Sequence, residues 1–466
     1  MEDVGGAWLR AATPMEMMFE TAHQKGTLLI CYHVILNSSV RLQEGHVRTA
    51  LQHLHWRVPN LRLCFGVRDG EMWLRYRSSS DVDFEVVSTG DVQSTMEHLR
   101  TYKYNSTAGP LWCARLLRGV EHPDGGLDSN SSPPFVSHLF LGYHHGIVDG
   151  VTTMKVCGCL VKLLGDVISG QPISDEEQIG ELVSAEETEK LVQAKKLRIE
   201  TDHEYRETLF REAKSKCSHP RLLRRLYQAP EGTEDRSAQV IRHLDVATTD
   251  KFVNKCRAES QTVHSAFTAL ANVALVDLLT RRGVIQDSYT ICSAHTTNLR
   301  RYWPGDTTRT LGCHIAPTYL HVETPRNACD GFWDYARRLH QNLKSNLEAG
   351  KALEDVALRQ LTPRAKTEER EDRSEDKEEN IEAQADYFTS NMGDVTPFLS
   401  QGSGDIEATH ITRSVSLHEA DLSYSHVFHT FKGRLTHCLD FSTRFLSEDL
   451  AREYCDQIFR RLEEVL

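Results

Sequence analysis

The stretch Tyr143-His144-His145-Gly146-Ile147-Val148-Asp149-Gly150 constrains this chain more than any other, because it must join two kinds of secondary structure across a short turn. Ahead of it, Val136-Ser137-His138-Leu139-Phe140-Leu141-Gly142-Tyr143 is apolar, partly alternating, and preceded by the turn-forming Ser131-Ser132-Pro133-Pro134, which predicts a buried strand. Behind it, Val151 to Leu164 places Met154, Val161 and Leu164 on one face, with Gly165 near the end, and predicts a helix. A strand that ends in histidine, turns through Gly146 and Gly150 and enters a helix holds an imidazole rigidly at the edge of a cleft. A general base needs that mounting.

The pattern His-His-x-x-x-Asp-Gly resembles the active-site motif of the chloramphenicol acetyltransferase-like superfamily. That superfamily includes the plant BAHD acyltransferases, alcohol O-acetyltransferases, bacterial wax ester synthases and the condensation domains of nonribosomal peptide synthetases. The resemblance implies that His145 is the base and that His144 and Gly150 support the turn. Asp149, counted with the catalytic set, would point away from substrate and pair with an arginine from the other half of the protein. Asn298-Leu299-Arg300 at a predicted strand end resembles the place where plant acyltransferases present that arginine. Arg300 is therefore the expected partner, with Arg301 as the competing candidate.

Two further stretches carry the likeness. Gly109-Pro110-Leu111-Trp112 resembles the Pro-Leu-Trp element that precedes the histidine motif in wax ester synthases, and reads either as the start of a buried strand or as a wall of the substrate channel. Ser390-Asn391-Met392-Gly393 resembles the Ser-Asn-x-Gly element on the C-terminal side of the channel. Ser390 and Asn391 either contact the thioester or the oxyanion, or belong to a turn closed by the asparagine side chain. Asp-Phe-Gly-Trp-Gly of the plant enzymes is absent, and Val263-His264-Ser265-Ala266-Phe267-Thr268-Ala269-Leu270-Ala271 only approximates a wax ester synthase element. The likeness thus specifies the superfamily and not a subfamily.

Its implied fold is α/β: two chloramphenicol acetyltransferase-like halves, each a mixed β-sheet with helices, with a substrate channel between them. The order of patterns agrees. A strand from Thr27 to Leu36 precedes a helix carrying Val47, Ala50, Leu51 and Leu54, and then a hairpin, Leu61–Val67 with Glu71–Tyr76, turning at Arg68-Asp69-Gly70. Residues 1–173 form the expected first half, 174–237 a helical crossover and 238–466 the second half. Ser174-Asp175-Glu176-Glu177 is the expected start of an exposed crossover helix, and Arg221, Arg224 and Arg225 present either a solvated face or a phosphate contact. In the second half, Val240–Leu244 predicts a strand. Val263, Phe267, Leu270, Ala274, Leu275 and Leu278 predict a helix buried on most faces. Arg434–Ser442 predicts a last strand, and Leu450, Tyr454, Ile458, Leu462 and Leu466, spaced by fours, a last helix.

Composition narrows the function. A formal net charge of -12 leaves no basic stripe to neutralise phosphates, which excludes a nucleic-acid binder. About five of those charges sit in the run from Lys366 to Glu382, which has no apolar anchor and reads as a disordered acidic insertion near 365–384. The N-terminus lacks a basic segment with an apolar core, and Thr27 to Leu36 is too short to cross a bilayer, so a cytoplasmic protein without a transmembrane segment is expected. Twelve cysteines without a Cys-x-x-Cys pair predict reduced, buried thiols. Adjacent His144 and His145 on extended chain face opposite ways, which argues against a metal site with Asp149.

The activity implied by the resemblance is transfer of an acyl group from an acyl-CoA thioester to a hydroxyl or amine of a small-molecule acceptor. His145 would act as base in a direct transfer, with acyl-CoA as co-substrate, no bound cofactor, and the protein a monomer. The alternatives are a condensation-type enzyme using carrier-protein thioesters and a non-catalytic binding protein of the same fold.

Overall fold

The computed structural model describes residues 6–88, 91–118, 135–182, 184–217, 221–361, 385–400, 402, 404–418, 420 and 422–466. The acidic insertion near 365–384 and the Ser131–Pro134 turn lie outside the described residues.

Strand Phe135–Tyr143 is apolar on both faces because it lies inside a sheet covered on both sides. Its neighbours are Ile30–Ser38, antiparallel from Ile30 opposite Tyr143 to Ser38 opposite Phe135, and Trp112–Arg118. Phe84–Val87 closes one edge and Ile406–Val415 the other, giving five strands. Helices Glu44–Arg57 and Gly150–Ile168 pack together on this sheet through Val47, Leu51, Leu54, Val156, Leu160 and Leu164. The Pro-Leu-Trp element starts Trp112–Arg118, and the indole of Trp112 is fully buried, donating to Leu61 O at 3.0 Å, so its role is structural.

The second half builds a six-stranded sheet in the order Ile315–Pro325, Ser288–Asn298, Tyr387–Asp394, Tyr424–Phe431, Arg434–Ser442, Ser237–His243. Helices Val263–Arg281, Phe332–Glu348 and Glu448–Glu464 cover it. Val263–Arg281 is long and apolar enough to cross a membrane, a length the sequence reading did not register, but most of it is buried in this core.

The halves interlock. Strand Ile406–Val415, from the second half of the sequence, pairs with Ile30–Ser38 and so belongs to the first sheet. Asp440 of the second sheet holds it there, accepting from Ser414 Oγ at 2.6 Å and Val415 N at 3.1 Å, and Arg100 Nε donates to the same Ser414 Oγ at 2.8 Å.

Three expectations need correction. Ser174–Glu177 is not a helix start: Arg57 donates to Ser174 O and pairs with Glu177 at 2.9 Å, and His53 meets Asp175 at 2.6 Å. Those contacts tie the segment as a loop with a turn at Asp175-Glu176 against helix Glu44–Arg57, and the crossover helices are Glu186–Thr201 and His203–Cys217. Nor is the crossover simply exposed, since Val192 and Ile199 are buried against Leu299, Ala352 and Leu353. Leu466 lies beyond helix Glu448–Glu464 and is exposed, because the last turn has no sheet left to cover.

Helix Gly150–Ile168 includes Gly165 and extends one turn past the expected end. It crosses the backbone of Phe398 at Gly158, where an added Cβ would stand 2.1 Å from the Phe398 carbonyl oxygen. A mid-helix glycine ordinarily destabilises relative to alanine by roughly 0.5–1 kcal/mol. Here the sign reverses: Gly158→Ala is expected to lower the urea midpoint, because backbone cannot give way as a side chain would.

Candidate active site

The turn after Phe135–Tyr143 folds as a short 3-10 segment, His145–Ile147, followed by helix Gly150–Ile168 with Asp149 as its N-cap. The two histidines diverge. His144 is fully buried, and its Nδ1 accepts the Gly146 N–H at 3.0 Å. A neutral imidazole that accepts at Nδ1 carries its proton on Nε2. That proton goes to Glu20 Oε2 at 2.9 Å, a carboxylate from helix Pro14–Gln24 that also accepts from Ser106 Oγ at 2.9 Å. Burial pushes the Glu20 pKa up, but the hydrogen bonds from His144, Gln24 and Ser106 more than offset it, and the carboxyl titrates below its ordinary range.

His145 faces the seam between the lobes and is partly exposed. Its Nδ1 lies 3.0 Å from Val148 O, which can only accept, so Nδ1 carries the proton and Nε2 keeps a free lone pair. Phe19 stacks on the ring with centroids 3.9 Å apart and planes 12° from parallel. Enclosure of the ring, and then the nearby Arg413 guanidinium, pull the imidazole pKa down from 6.5 to about 4. Neutral His145 therefore persists well into acid. Expected kcat/KM is flat from pH 8 to 5.5, whereas an imidazole titrating at 6.5 would lose about tenfold by pH 5.5. Phe19→Ala wets the ring, raises its pKa towards 6.5 and brings the acidic limb into that window, which a pH profile of kcat/KM reads directly.

Asp149 reaches across to the second half of the chain and is clamped from three directions. Arg300 Nη1 donates to its Oδ2 at 2.5 Å, His314 N to the same oxygen at 3.0 Å, and Thr152 N to Oδ1 at 2.9 Å. Arg300 Nη2 also reaches Gly312 O at 3.2 Å, and Thr152 Oγ1 bonds the Gly312 backbone. Burial raises the Asp149 pKa, yet Arg300 and the two N–H donors outweigh it and hold the carboxyl below its ordinary value. Arg301 is not the partner of Asp149: it is exposed, its guanidinium 5.7 Å from the Tyr302 ring.

Asn391 Oδ1 accepts from Gly393 N at 2.8 Å, so its carbonyl is engaged in its own turn, as the plainer alternative had it. Ser390 is partly exposed on strand Tyr387–Asp394. Gly150 is needed for space: a Cβ there would come within 2.4 Å of Met392 Sδ, from the same segment. Arg224, one of the three basic crossover residues, stacks over Phe445 at 3.5 Å and donates to Ser423 Oγ at 2.9 Å, which makes it an interior support.

Four features escaped the sequence reading. Phe19 and Glu20 are neighbours on one helix that sit against His145 and His144 respectively, and no local pattern marks them. Cys313 Sγ lies 3.9 Å from His145 Nδ1, but burial raises its pKa well above 9, so it stays a thiol beside a nitrogen already engaged. Glu20, His23 and His144 offer ligand atoms within 4.8 Å of one another, a grouping of metal-binding chemistry. Each is matched with protons instead: His23 Nε2 accepts from Tyr104 N at 3.1 Å, which leaves the proton on the Nδ1 that faces Glu20 and Ser106. Arg413 is taken up below. A surface depression of about 700 Å3 is lined by Pro59, Arg62, Tyr76 and Arg309, and His145 is not in its walls.

Two interlocked α/β lobes, a strand shared across them and a histidine turn at their seam define the chloramphenicol acetyltransferase-like and condensation-domain fold. The trichothecene 15-O-acetyltransferase of Fusarium sporotrichioides superimposes with TM-score 0.68 at 13% identity, over 98% of this chain and 95% of that one. The epimerization domain from the third module of tyrocidine synthetase B gives 0.67 at 14% identity, covering 100% and 98%. The starter condensation domain of rhizomide synthetase, solved in complex with C8-CoA, gives 0.65 at 15%, covering 98% and 94%. No family model and no curated protein sequence matches the chain.

Proposed function

We propose that the protein transfers an acyl group from an acyl-CoA thioester to the hydroxyl or amine of a small molecule, with His145 as general base. The observation that carries this reading is the Nδ1 hydrogen bond of His145 to Val148 O, which leaves the Nε2 lone pair free to take a proton. Nε2 takes the acceptor proton as its oxygen or nitrogen attacks the thioester carbonyl. The tetrahedral oxyanion collapses, the carbon–sulfur bond breaks, and the same proton passes to the departing thiolate, so His145 ends neutral. Transfer is direct: the Cys313 thiol is held protonated by burial and adjoins the wrong ring nitrogen. Ser390 and the amide of Asn391 are the proposed contacts to the thioester or oxyanion.

The acyl-CoA donor has support from one structural relative, whose starter condensation domain was solved with C8-CoA. The test measures free thiol released from acetyl-CoA and longer acyl-CoAs with a panel of alcohols and amines. Acceptor-dependent release supports the reading. Release with no acyl-CoA, but with an acyl-carrier thioester, replaces the donor by a carrier-bound one.

A further inference from the structure

Among the described residues, Arg413 is the cation whose field opposes protonation of His145. It stands on the shared strand Ile406–Val415 and is partly exposed. Its Nη1 would lie 3.5 Å from a Cβ built on Gly150, the last residue of the histidine motif, beside Met392. Its field acts on His145. Among the described residues no carboxylate comes within 4.0 Å of its guanidinium. Asp440, the acid whose field reaches it, is committed to Ser414, Val415 N and Gln239. The Tyr32 hydroxyl, 2.6 Å from Thr153 Oγ1, also accepts from Arg413, a neutral contact that leaves the guanidinium charge without a counter-ion. Of the other arginines near the motif, Arg300 is paired with Asp149, and Arg100 donates to Ser414 and Gln239.

A guanidinium offers a rigid fork of donors suited to a carboxylate. Partly exposed and without a carboxylate at contact distance, Arg413 also repels the imidazolium that His145 forms as it takes a proton. An anion arriving with substrate removes both penalties at once: it satisfies the fork, and it lets His145 accept a proton more readily in the complex than in the free protein. The phosphates of CoA are not that anion, because the pantetheine arm separates them from the thioester by far more than a hydrogen bond's reach.

We infer that Arg413 is the counter-ion for a carboxylate carried close to the reacting bond, on the acceptor or on the acyl group. This rests on the acyl-transfer reading for which molecules enter the seam, and it is tested by binding, so the two can fail separately. Equilibrium binding to the full chain is measured for 3-hydroxybenzoate, 3-hydroxybutyrate and glycolate against their neutral amides, and for malonyl-CoA and succinyl-CoA against acetyl-CoA and butyryl-CoA. In the wild type at least one carboxylate is expected to bind about 10- to 100-fold more tightly than its neutral counterpart, the size of a hydrogen-bonded charge pair. In Arg413→Gln the pair should bind alike, and Arg413→Lys should keep part of the preference. A preference among hydroxy acids places the carboxylate on the acceptor, and one among the CoA esters places it on the acyl group. The inference is overturned if no carboxylate is preferred, or if Arg413→Gln weakens charged and neutral members by the same factor. Preference without turnover in any acyl-transfer assay would uphold Arg413 and remove the acyltransferase reading.

Discussion

His145→Ala is expected to lower acceptor-dependent thiol release by about 100- to 10,000-fold, the usual contribution of a positioned acid–base group. The loss should fall on kcat more than on KM, because the proton is transferred only on the way to the tetrahedral intermediate. Stability should change little. The ring is partly exposed, and its hydrogen bond is local, to Val148 O three residues on. Thermal denaturation alongside the kinetics separates the two effects. A rate that falls less than tenfold in a variant as stable as the wild type would move the base elsewhere.

Breaking the Asp149–Arg300 pair gives the largest expected change in stability. Removing one partner of a buried ion pair typically costs about 3–5 kcal/mol, because the other is left charged without water or counter-ion. Arg300→Ala leaves the Asp149 carboxylate with two N–H donors, and Asp149→Ala also removes the N-cap of helix Gly150–Ile168. The expected order of destabilisation in urea is therefore Asp149→Ala at least as large as Arg300→Ala, with both losing activity as the turn that carries His145 loosens. The double replacement Asp149→Leu with Arg300→Met should recover stability relative to either single change without recovering the rate, which would assign the pair to orientation and not to net stability.

The pH dependence of this effect has a definite sign. The Asp149 pKa is depressed in the folded state, so its contribution is full above the unfolded carboxyl pKa and is lost as pH falls through the folded value. The gap between wild type and Arg300→Ala should be constant from pH 8 to 5 and close in stronger acid.

The legibility of the site follows the range of the interactions that make it. His145 and Asp149 were readable because strand, turn and helix are contiguous and because both fall in the His-His-x-x-x-Asp-Gly pattern; that Asp149 caps the helix came only from the structure. The partner arginine was readable only through the Asn298-Leu299-Arg300 likeness, since nothing local says that residue 300 will meet residue 149. The glutamates of 174–177 misled because acids after serine signal a helix start, and only the tertiary contacts with Arg57 and His53 turn them into loop anchors. Met392, and not Asn391 beside it, reaches the motif, a choice made by the bulge in strand Tyr387–Asp394 between Asn391 and Asp394.

By itself the order of residues determined the strand–turn–helix at Tyr143–Gly150, through side-chain periodicity and turn chemistry over about ten residues, while the fold class and the proposal of His145 as base came from the motif's resemblance to the superfamily. Tertiary structure alone decided that Phe19 and Glu20 back the two histidines, that strand Ile406–Val415 crosses to the other lobe, and that Arg413 stands against Gly150 of the histidine motif. Those placements join residues more than a hundred positions apart. A charge on an alternating strand looks the same in sequence whether it meets water, a carboxylate or an empty cleft, and only the packing of the two lobes distinguishes them.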